Sequence, residues 1–338
     1  MPLTTEYAIS LANVQAAAKR LHGFAHRTPV LTCHALDSIA TTVGDGDAKR
    51  LFFKCENLQK IGAFKYRGAL NAVTKFLQEK QQRGEEGDTT FVTHSSGNHA
   101  QALALAARDA HCKAVIVMPN NSPRVKQNAV RNYGAQVVLC APTNEARQET
   151  ADQVVAATTG HFIHSSNDPD VMSGQGTVAL ELLEQVQQEY GVTLDAIIVP
   201  IGGAGLCSGV AMAAKSVQPD IKIFGVEPTG AADAYNCFQK RQLMGHTGPV
   251  STVADGLQTT LGDKNWPIVR DFVDDILLVS DDEIVSAMKL IWERMKLVVE
   301  PSGAVATASV LANKVPDGLV NVGIVFSGGN VDLERLPW

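Results

Sequence analysis

The sequence predicts an α/β protein in which helices flank two open, twisted and mainly parallel sheets, arranged as a larger and a smaller lobe. Short apolar runs rich in Val, Ile and Phe alternate with longer segments of helical period, which is typical of successive βα units. The chain has 338 residues, 45% of them hydrophobic, so its length and apolar content suffice for two cores. This alternation indicates the α/β class.

The apolar runs and the periodic segments give the predicted elements in chain order. Strands are expected at 51–55, 90–93, 114–118, 136–140, 196–200, 222–226, 276–279 and 322–326. Helices are expected at 66–82, 101–110, 123–133, 145–157, 171–189, 206–217, 281–296 and 304–314. The charged stretch 81–88 is predicted to be an exposed connection. The closely spaced βα units after it predict a small lobe at 88–165, with 1–87 and 166–338 forming the large lobe.

Charge and cysteine usage narrow the function classes. Charged residues make up 19% of the chain and the formal net charge is −6, which disfavours nucleic acid and anionic membranes as partners. No stretch approaches about 18 apolar residues, and the first residues lack a signal-peptide pattern, so a cytoplasmic protein without a membrane span is expected. Six cysteines without a CxxC pair predict reduced thiols rather than disulfides or a zinc site.

The first chemical motif is GAFKYRGAL, which places Lys65 directly after Phe64 at the start of a predicted helix. A partly dry pocket at a helix N-terminus lowers the pKa of an amine, through desolvation and the positive end of the helix dipole. A neutral, fixed lysine of this kind can react with an aldehyde cofactor. The alternative interpretation is an ordinary surface lysine in the first turn of a helix.

Two further motifs follow predicted strands and precede predicted helices. The run THSSGNHAQ offers backbone amides and the side chains of Ser95, Ser96 and Asn98 to a carboxylate or another anion, although routine helix capping uses the same residue types. The run PIGGAGLCSG places the glycine-rich turn 202–206 at a helix start, where glycines let the backbone approach a phosphate closely.

A dinucleotide site is the competing interpretation of the glycine-rich turn. Gly203 and Gly205 give GxG, and Glu227 ends the following strand, where dinucleotide-binding folds carry an acid. The third glycine is displaced to Gly209, and the unit lies in the second half of the chain. Both observations disfavour the dinucleotide interpretation.

A fourth motif, IVFSGGNVD, ends a predicted strand with Ser327, whose hydroxyl can meet a ring nitrogen or simply form a turn. The four segments GAFKYRG, HSSGNHAQA, GGAGL and SGGN together resemble the signature of the fold-type II pyridoxal-phosphate enzymes, which have the tryptophan synthase β-like fold. Within that class the sequence is similar to the serine racemase and serine/threonine dehydratase family. The similarity extends through HRTPV, GQGTVALEL, ADGL, WERMKLVVEPSGA and GGNVDL, and so covers essentially the whole chain.

The resemblance implies a role for each candidate site residue. Lys65 would be the Schiff-base lysine of pyridoxal 5'-phosphate, and Ser327 would be the partner of the pyridine nitrogen. The other cofactor contacts would come from Phe64, Asn98, Asn167, Gly202, Gly203, Ala204, Gly205 and Leu206. The substrate contacts would come from Ser95, Ser96, His99 and Arg147.

Ser96 bears on the type of reaction. Racemisation needs a proton-transfer group on each face of the planar carbanion, because one lysine reaches only one face. The resemblance implies that Lys65 and Ser96 form this pair, since family racemases carry Ser here whereas bacterial threonine dehydratases and mammalian liver serine dehydratase typically carry Ala. Yeast hydroxyaspartate dehydratase also carries Ser, so the residue permits racemisation without excluding dehydration as the main reaction.

Two further sites are implied by the resemblance. Glu227, Asp233 and the carbonyl of Ala231 match the divalent cation site of the serine racemases, and oxygen ligands suit Mg2+, Ca2+ or Mn2+. Animal racemases also bind ATP as an effector at a subunit interface, but Ile61 removes a hydroxyl from that site. The positions that match the ATP contacts are Lys60, Tyr133, Lys296 and Asn330.

The phosphate turn departs from the family pattern, because it reads GGAG where many relatives have four glycines. A left-handed conformation at Ala204 would cost on the order of 1–2 kcal/mol, so either a negative φ or a slightly different loop is expected there.

The sequence therefore predicts a homodimeric pyridoxal-phosphate enzyme that interconverts L- and D-serine and also dehydrates serine to pyruvate and ammonia. Within the same class, the alternative is an ammonia-lyase acting on L-threonine, L-serine or 3-hydroxyaspartate. From other classes, the alternatives are a dinucleotide-dependent dehydrogenase and a catalytically inactive ligand-binding module.

Overall fold

A computed structural model describes residues 6–43 and 48–338. The strands within these residues are β1 (Val30–Leu31), β2 (Arg50–Cys55), β3 (Thr90–His94), β4 (Lys113–Pro119), β5 (Gln136–Cys140), β6 (His161–Phe162), β7 (Ala196–Pro200), β8 (Lys222–Pro228), β9 (Asp275–Val279) and β10 (Asn321–Phe326). The helices are α1 (Leu11–Leu21), α2 (His34–Val43), α3 (Lys65–Gln82), α4 (Asn98–Asp109), α5 (Arg124–Asn132), α6 (Asn144–Thr158), α7 (Pro169–Gln185), α8 (Gly205–Val217), α9 (Asp233–Lys240), α10 (Trp266–Phe272), α11 (Asp281–Leu290) and α12 (Pro301–Leu311).

The predicted strands agree with the structure to within one or two residues. Two predicted helices, 171–189 and 281–296, are instead α7 and α11, each followed by a π-helical turn, Val186–Tyr190 and Ile291–Met295. The sequence patterns did not predict β1 and β6, which are two residues each and too short to show a period. They also did not predict α1, α2, α9 and α10.

The larger sheet has the strand order β1-β2-β10-β7-β8-β9. All neighbouring strands are parallel except β1 and β2. Side chains alternate between two apolar cores along each central strand: on β7, Ile197 and Val199 face one core, while Ala196 and Ile198 face the other. Because both faces are covered, the strand sequences are continuous apolar runs.

The smaller sheet has the order β5-β4-β3-β6, with every neighbouring pair parallel. All four strands lie within 88–165, the segment predicted to form the small lobe. The two sheets and their flanking helices confirm the predicted α/β fold class. The lobe boundaries themselves stay a prediction.

Local signals account for where several helices begin. Asp168 caps α7 by accepting hydrogen bonds from the N–H groups of Asp170 and Val171, and Pro169 occupies the first turn. Ser280 and Glu283 form a capping box at the start of α11. In the described part of the chain, no helix combines the length and apolar character that a bilayer crossing requires. The six cysteines are free thiols, as predicted.

Candidate active site

The larger sheet brings three of the sequence motifs to one edge. Strands β2, β10 and β7 are neighbours and parallel, so the segments that follow them start side by side. Those segments carry Lys65, Ser327 and the glycine-rich turn 202–206. The N–H of Phe64 donates to the carbonyl of Ser327 at 3.0 Å, and Ala63 forms a β-bridge with Gly328. Lys65 therefore enters α3 directly beside the end of β10.

The smaller sheet closes the other side of Lys65. Its neighbouring strands β3 and β6 end at His94 and Phe162. The segment after β6 contains Ser165, whose carbonyl accepts a hydrogen bond from Lys65 Nζ at 2.7 Å. Lys65 thus lies in a cleft between the carboxyl ends of the two sheets, which is where ligands bind in α/β folds.

The surroundings of Lys65 favour a neutral amine. Burial lowers the pKa of Lys65 to about 8, and the amine lies 5.1 Å from the ring centre of Phe64. Within the described residues its only hydrogen bond is the one to the uncharged Ser165 carbonyl. An amine with a pKa near neutrality is available as a nucleophile and as a base.

Ser166 lies against two glycines of the glycine-rich turn. A Cβ at Gly203 would collide with Ser166 Oγ, and one at Gly205 would lie 2.8 Å from the Ser166 carbonyl oxygen. Ser166 is 4% exposed, and its Oγ is buried without a hydrogen-bond partner among the described residues. A free hydroxyl beside a glycine turn at the start of α8 fits a bound phosphate, which accepts hydrogen bonds from both.

The expected negative φ at Ala204 is wrong. Ala204 is left-handed, with φ 63° and ψ 7°, and it is the residue from which α8 starts. Its side chain is 3% exposed within one of the two cores of the larger sheet. The packing of this buried methyl group, together with the helix that follows, offsets the modest cost of the left-handed conformation.

Asn98 is fixed from two sides. Its Nδ2 donates to Glu300 Oε1 at 2.8 Å, and its Oδ1 accepts from Asn330 Nδ2 at 2.8 Å. Burial, followed by the charge of Asp255, raises the pKa of Glu300 to about 8. Glu300 is a site residue that the sequence analysis did not single out. It lies in the segment WERMKLVVEPSGA, which contributed only to the overall resemblance.

The predicted substrate contacts lie between β3 and the first turn of α4, and in the first turn of α6, all within 88–165. Ser95 and Ser96 form the turn between β3 and α4, and Gly97 N–H donates to Ser95 Oγ at 3.3 Å. His99 is in the first turn of α4, and Arg147 lies in α6 with its Nε buried and unpartnered. Within the described residues, His99 Nδ1 and Arg147 Nε are buried polar atoms without a hydrogen-bond partner.

Asn167 and Ser166 differ in what remains free to bind a ligand. Asn167 Nδ2 donates to Asp263 at 2.7 Å, and its Oδ1 accepts from the N–H of Lys264 at 3.0 Å. Ser166, by contrast, has its unpartnered hydroxyl against the glycine turn. The sequence analysis named Asn167 and missed Ser166. The signal that could have identified Ser166 was its position after β6, next to Ser165, whose carbonyl accepts the hydrogen bond from Lys65.

The predicted cation residues lie close together after β8. Glu227 is fully buried and accepts hydrogen bonds from the N–H groups of Ala234 and Tyr235. Asp233, 1% exposed, accepts from Leu261 N–H at 2.7 Å, but its Oδ1 has no hydrogen-bond partner and lies 3.5 Å from His246 Nε2. Burial and the neighbouring Asp233 carboxylate raise the pKa of Glu227 well above its usual range.

This carboxylate pair can hold a cation only with backbone help. Over the ranges the structure describes, no three His, Cys, Asp or Glu side chains converge as a metal site. A third protein ligand would therefore be an uncharged oxygen, and the carbonyl of Ala231 was predicted for that role. Glu227 is also buried and occupied by backbone N–H groups, which leaves the dinucleotide interpretation without an available acid.

The positions matched to an ATP site already have partners in this chain. Lys60 Nζ is 3.7 Å from Asp109, and Lys296 Nζ donates to the Glu293 carbonyl at 2.7 Å. Asn330 Nδ2 donates to the Ile61 carbonyl at 2.6 Å. The ring of Tyr133 lies 5.8 Å below the Arg108 guanidinium.

Comparison with known proteins gives one consistent family. A model described as pyridoxal-phosphate dependent enzyme matches residues 22–328. The serine racemase of Arabidopsis thaliana is 46% identical over 98% of this chain and 96% of its own length. The structure of maize serine racemase is 42% identical, with a TM-score of 0.89 and coverage of 97% of this chain and 95% of that chain. The threonine deaminase of T.th. is 38% identical, with a TM-score of 0.86 and coverage of 97% of this chain and 100% of that chain.

These matches span nearly the whole chain. The chain belongs to the pyridoxal-phosphate-dependent enzymes, within the serine racemase and serine/threonine dehydratase family.

Proposed function

We propose that this enzyme interconverts L- and D-serine and, in a second reaction, eliminates water from serine to release pyruvate and ammonia. The observation that carries the proposal is the Lys65 amine, which lies in the inter-sheet cleft with a lowered pKa and a single uncharged acceptor. The identity to serine racemases, and to a threonine deaminase for the elimination, supports the choice of reaction.

The residues of the cleft fit pyridoxal 5'-phosphate. Lys65 would hold its aldehyde, the turn 202–206 with Ser166 its phosphate, Asn98 its ring hydroxyl, and Ser327 its pyridine nitrogen. Phe64, next to Lys65, would contact the ring. The bound cofactor supplies a conjugated ring that withdraws electrons from the substrate α-carbon. Because Ser327 is an uncharged hydroxyl, this withdrawal would be weaker than with a carboxylate partner, which suits racemisation and elimination.

Lys65 removes or returns the α-proton on one face of the substrate. Its lowered pKa keeps a useful fraction of the amine neutral near neutral pH, so the lone pair can accept a proton. Ser96, in the turn after β3, serves the opposite face. Proton delivery by Ser96 gives D-serine from L-serine, whereas loss of the β-hydroxyl leads to pyruvate and ammonia.

The start of α4 binds the substrate carboxylate. Backbone N–H groups at a helix N-terminus, together with the Ser95 hydroxyl, are donors for an anion. His99 contributes its backbone N–H here, since its imidazole is buried against Ile163. Arg147 supplies a positive charge from α6, and its unpartnered Nε is free to donate.

Glu227, Asp233 and the Ala231 carbonyl would hold Mg2+, Ca2+ or Mn2+. Two adjacent buried carboxylates, with Asp233 Oδ1 unpartnered among the described residues, are a ligand set that a hard cation would stabilise. The cation would stabilise the segment 227–233 rather than take part in proton transfer. By family resemblance, the proposal also includes a homodimer and ATP as an effector. It further includes a large lobe formed by 1–87 and 166–338 and a small lobe formed by 88–165.

The test is a time course with L-serine in which D-serine and pyruvate are quantified together, with and without Mg2+. We expect both products, and faster formation of both with Mg2+. L-threonine and 3-hydroxyaspartate are run in parallel. Elimination from either of these with no D-serine formed from L-serine would replace the racemase assignment by the ammonia-lyase alternative.

A further inference from the structure

His246 lies between the proposed cation site and the loop 257–261. Its Nε2 is 3.1 Å from the carbonyl oxygen of Gln258 and 3.5 Å from Asp233 Oδ1. A carbonyl oxygen only accepts hydrogen bonds, so Nε2 carries a hydrogen and donates it to Gln258. Asp233 Oδ1 has no hydrogen-bond partner among the described residues. One N–H group therefore has two acceptors within reach, a backbone carbonyl and a free carboxylate oxygen.

The segment that carries His246 is attached to α9, the helix that begins at Asp233. The N–H of Met244 donates to Cys237 Sγ at 3.1 Å, and Cys237 Sγ donates to the Met244 carbonyl at 3.3 Å. Met244 also packs against the core that contains Cys237. The imidazole, two residues further on, is thus held on the same unit as the carboxylate of Asp233.

The loop 257–261 packs against the glycine-rich turn. A Cβ at Gly202 would lie 3.0 Å from Leu257 Cα. A Cβ at Gly203 would lie 3.4 Å from Thr259 Cγ2. Gln258, which accepts the hydrogen bond from the imidazole, is the residue between these two contacts. A shift of the Gln258 carbonyl would therefore move both residues that lie against the turn.

Asp233 and His246 hold this loop at different places. Asp233 Oδ2 accepts from the N–H of Leu261 at 2.7 Å, beyond the residues that contact the turn. His246 holds Gln258 directly beside the turn. The position of the loop against the turn thus depends on where the imidazole N–H points.

We infer that His246 is a positioning residue that couples the cation to the cofactor phosphate, an inference that rests on the proposed function. Without a cation, the free Asp233 Oδ1 competes with the Gln258 carbonyl for the imidazole N–H, because a carboxylate is the stronger acceptor. A cation that takes Oδ1 removes this competitor. The N–H then stays on Gln258 and holds the loop 257–261 against the glycine turn, which is ready for the phosphate.

The coupling is reciprocal. If a bound cation strengthens binding of pyridoxal 5'-phosphate by some factor, the cofactor strengthens binding of the cation by the same factor. This factor is a ratio of two affinities of one variant, so a substitution that only loosens the fold changes both affinities and leaves their ratio in place.

Two substitutions separate the hydrogen bond of His246 from its charge. His246→Gln keeps an N–H group at about the distance of Nε2 and can never be charged, whereas His246→Ala removes the donor. If a charged imidazole acted on Asp233 only through its field, Gln and Ala would behave alike. A positioning role predicts that Gln behaves like the wild type.

The experiment measures four dissociation constants for each protein by calorimetry. These are the constants of pyridoxal 5'-phosphate for the cofactor-free protein with and without Ca2+, and of Ca2+ with and without the cofactor. We expect the cofactor to bind at least about fivefold more tightly with Ca2+ in the wild type and His246→Gln, and less than about twofold more tightly in His246→Ala. The Ca2+ constants should change by the same factors.

Three results would overturn the inference while leaving the proposed reaction standing. They are an equal factor in the wild type and His246→Ala, a His246→Gln protein that behaves like His246→Ala, and a wild type that binds the cofactor but shows no binding of Ca2+. A wild type that binds no pyridoxal 5'-phosphate under any condition would overturn the proposed function itself, and the inference with it.

Discussion

Lys65 and Arg67 lie two residues apart in the first turn of α3, yet their surroundings are opposite. Arg67 is fully buried, with Nε donating to Glu56 and Nη1 to Glu181 at 2.8 and 2.7 Å. Burial alone would lower the pKa of Arg67, but Glu56 and Glu181 raise it above its usual value. Lys54 Nζ lies 2.7 Å from Glu181 Oε2, so two cations and two carboxylates form a group without net charge. On the other side of the helix, Lys65 has one carbonyl as its acceptor.

Arg67 and Lys65 therefore mark two sides of α3: the side of Arg67 stabilises the fold, and the side of Lys65 faces the cleft. The cluster of Lys54, Glu56, Arg67 and Glu181, which we call the back cluster, satisfies every charge and ties α3 to the 3-10 turn after β2 and to α7. On the cleft side, the Lys65 amine has one uncharged acceptor, and the hydroxyl of Ser166, next to that acceptor, has no partner among the described residues. A buried polar group without a partner destabilises a fold, so these two groups indicate where ligand atoms complete the structure. Substitutions on the cleft side of α3 should therefore affect the reaction, and substitutions in the back cluster should affect stability.

The largest effect is expected for Lys65→Ala. Loss of the Lys65 amine should reduce activity with L-serine by about a thousandfold or more and abolish the absorption band of the bound cofactor. The free energy of unfolding of the cofactor-free protein should not fall, because no charge partner is lost. Absorption spectra and urea unfolding measure the two outcomes. A strongly destabilised but coloured variant would contradict the comparison.

Arg67→Met should have the opposite profile. The buried Glu56 and the partly buried Glu181 would be left with Lys54 as the remaining cation of the back cluster, and breaking a buried ion pair from one side costs about 3–5 kcal/mol. Urea unfolding of the cofactor-free protein measures this loss. The double variant Arg67→Met/Glu56→Gln is the matched control, since it leaves one carboxylate for one cation and should recover part of the stability. No recovery would show that packing rather than charge balance is what Arg67 provides.

Ser96→Ala tests the cleft side without touching Lys65. We expect D-serine formation from L-serine to be lost while pyruvate formation stays within about threefold of the wild type, since only the opposite face loses its proton donor. Both products are measured in one reaction by chiral chromatography. Equal loss of both activities, or of neither, would refute the two-face assignment.

Ser166→Ala should weaken cofactor binding more than Asn167→Ala does. The Ser166 hydroxyl is unpartnered beside the glycine turn, and a hydrogen bond to a charged phosphate is worth about 1.5–3 kcal/mol, or more than tenfold in affinity. Asn167 is already engaged by Asp263 and Lys264. Titration of the cofactor-free variants with pyridoxal 5'-phosphate gives the affinities. The reverse ranking would restore Asn167 as the contact.

Per pH unit, the smallest effect is the dependence of stability on pH that Lys65 contributes. Its pKa is about 8 in the folded protein, below the usual value of 10.5, so between these values the unfolded chain holds a proton that the folded chain lacks. Stability therefore rises with pH across this window, by at most about 1.4 kcal/mol per unit. The slope is obtained by urea unfolding of the cofactor-free protein at several pH values. Lys65→Met should flatten it, and an identical slope in both proteins would contradict the lowered pKa.

The strands and the order of the motifs followed from the sequence because they depend on local patterns. Runs such as 196–200 are apolar throughout, since both faces of β7 are covered, and Lys65 begins a helix as expected. Ala204 shows where local reasoning failed: its left-handed φ is imposed by the turn between β7 and α8 and by core packing, which outweigh the intrinsic preference of alanine. Short elements such as β1 were missed because their pairing partners, not their own residues, define them.

The sequence by itself determined the α/β class and singled out Lys65 and the glycine turn as candidates, because these depend on residue type and on order along the chain. Only the tertiary structure decided that Ser166 rather than Asn167 has a free donor at that turn, that Glu300 holds Asn98, and that Lys65 lacks the carboxylates that surround Arg67. These features depend on which atoms meet across distant segments, and the charge state of a buried group is set by those neighbours and not by its own position in the chain.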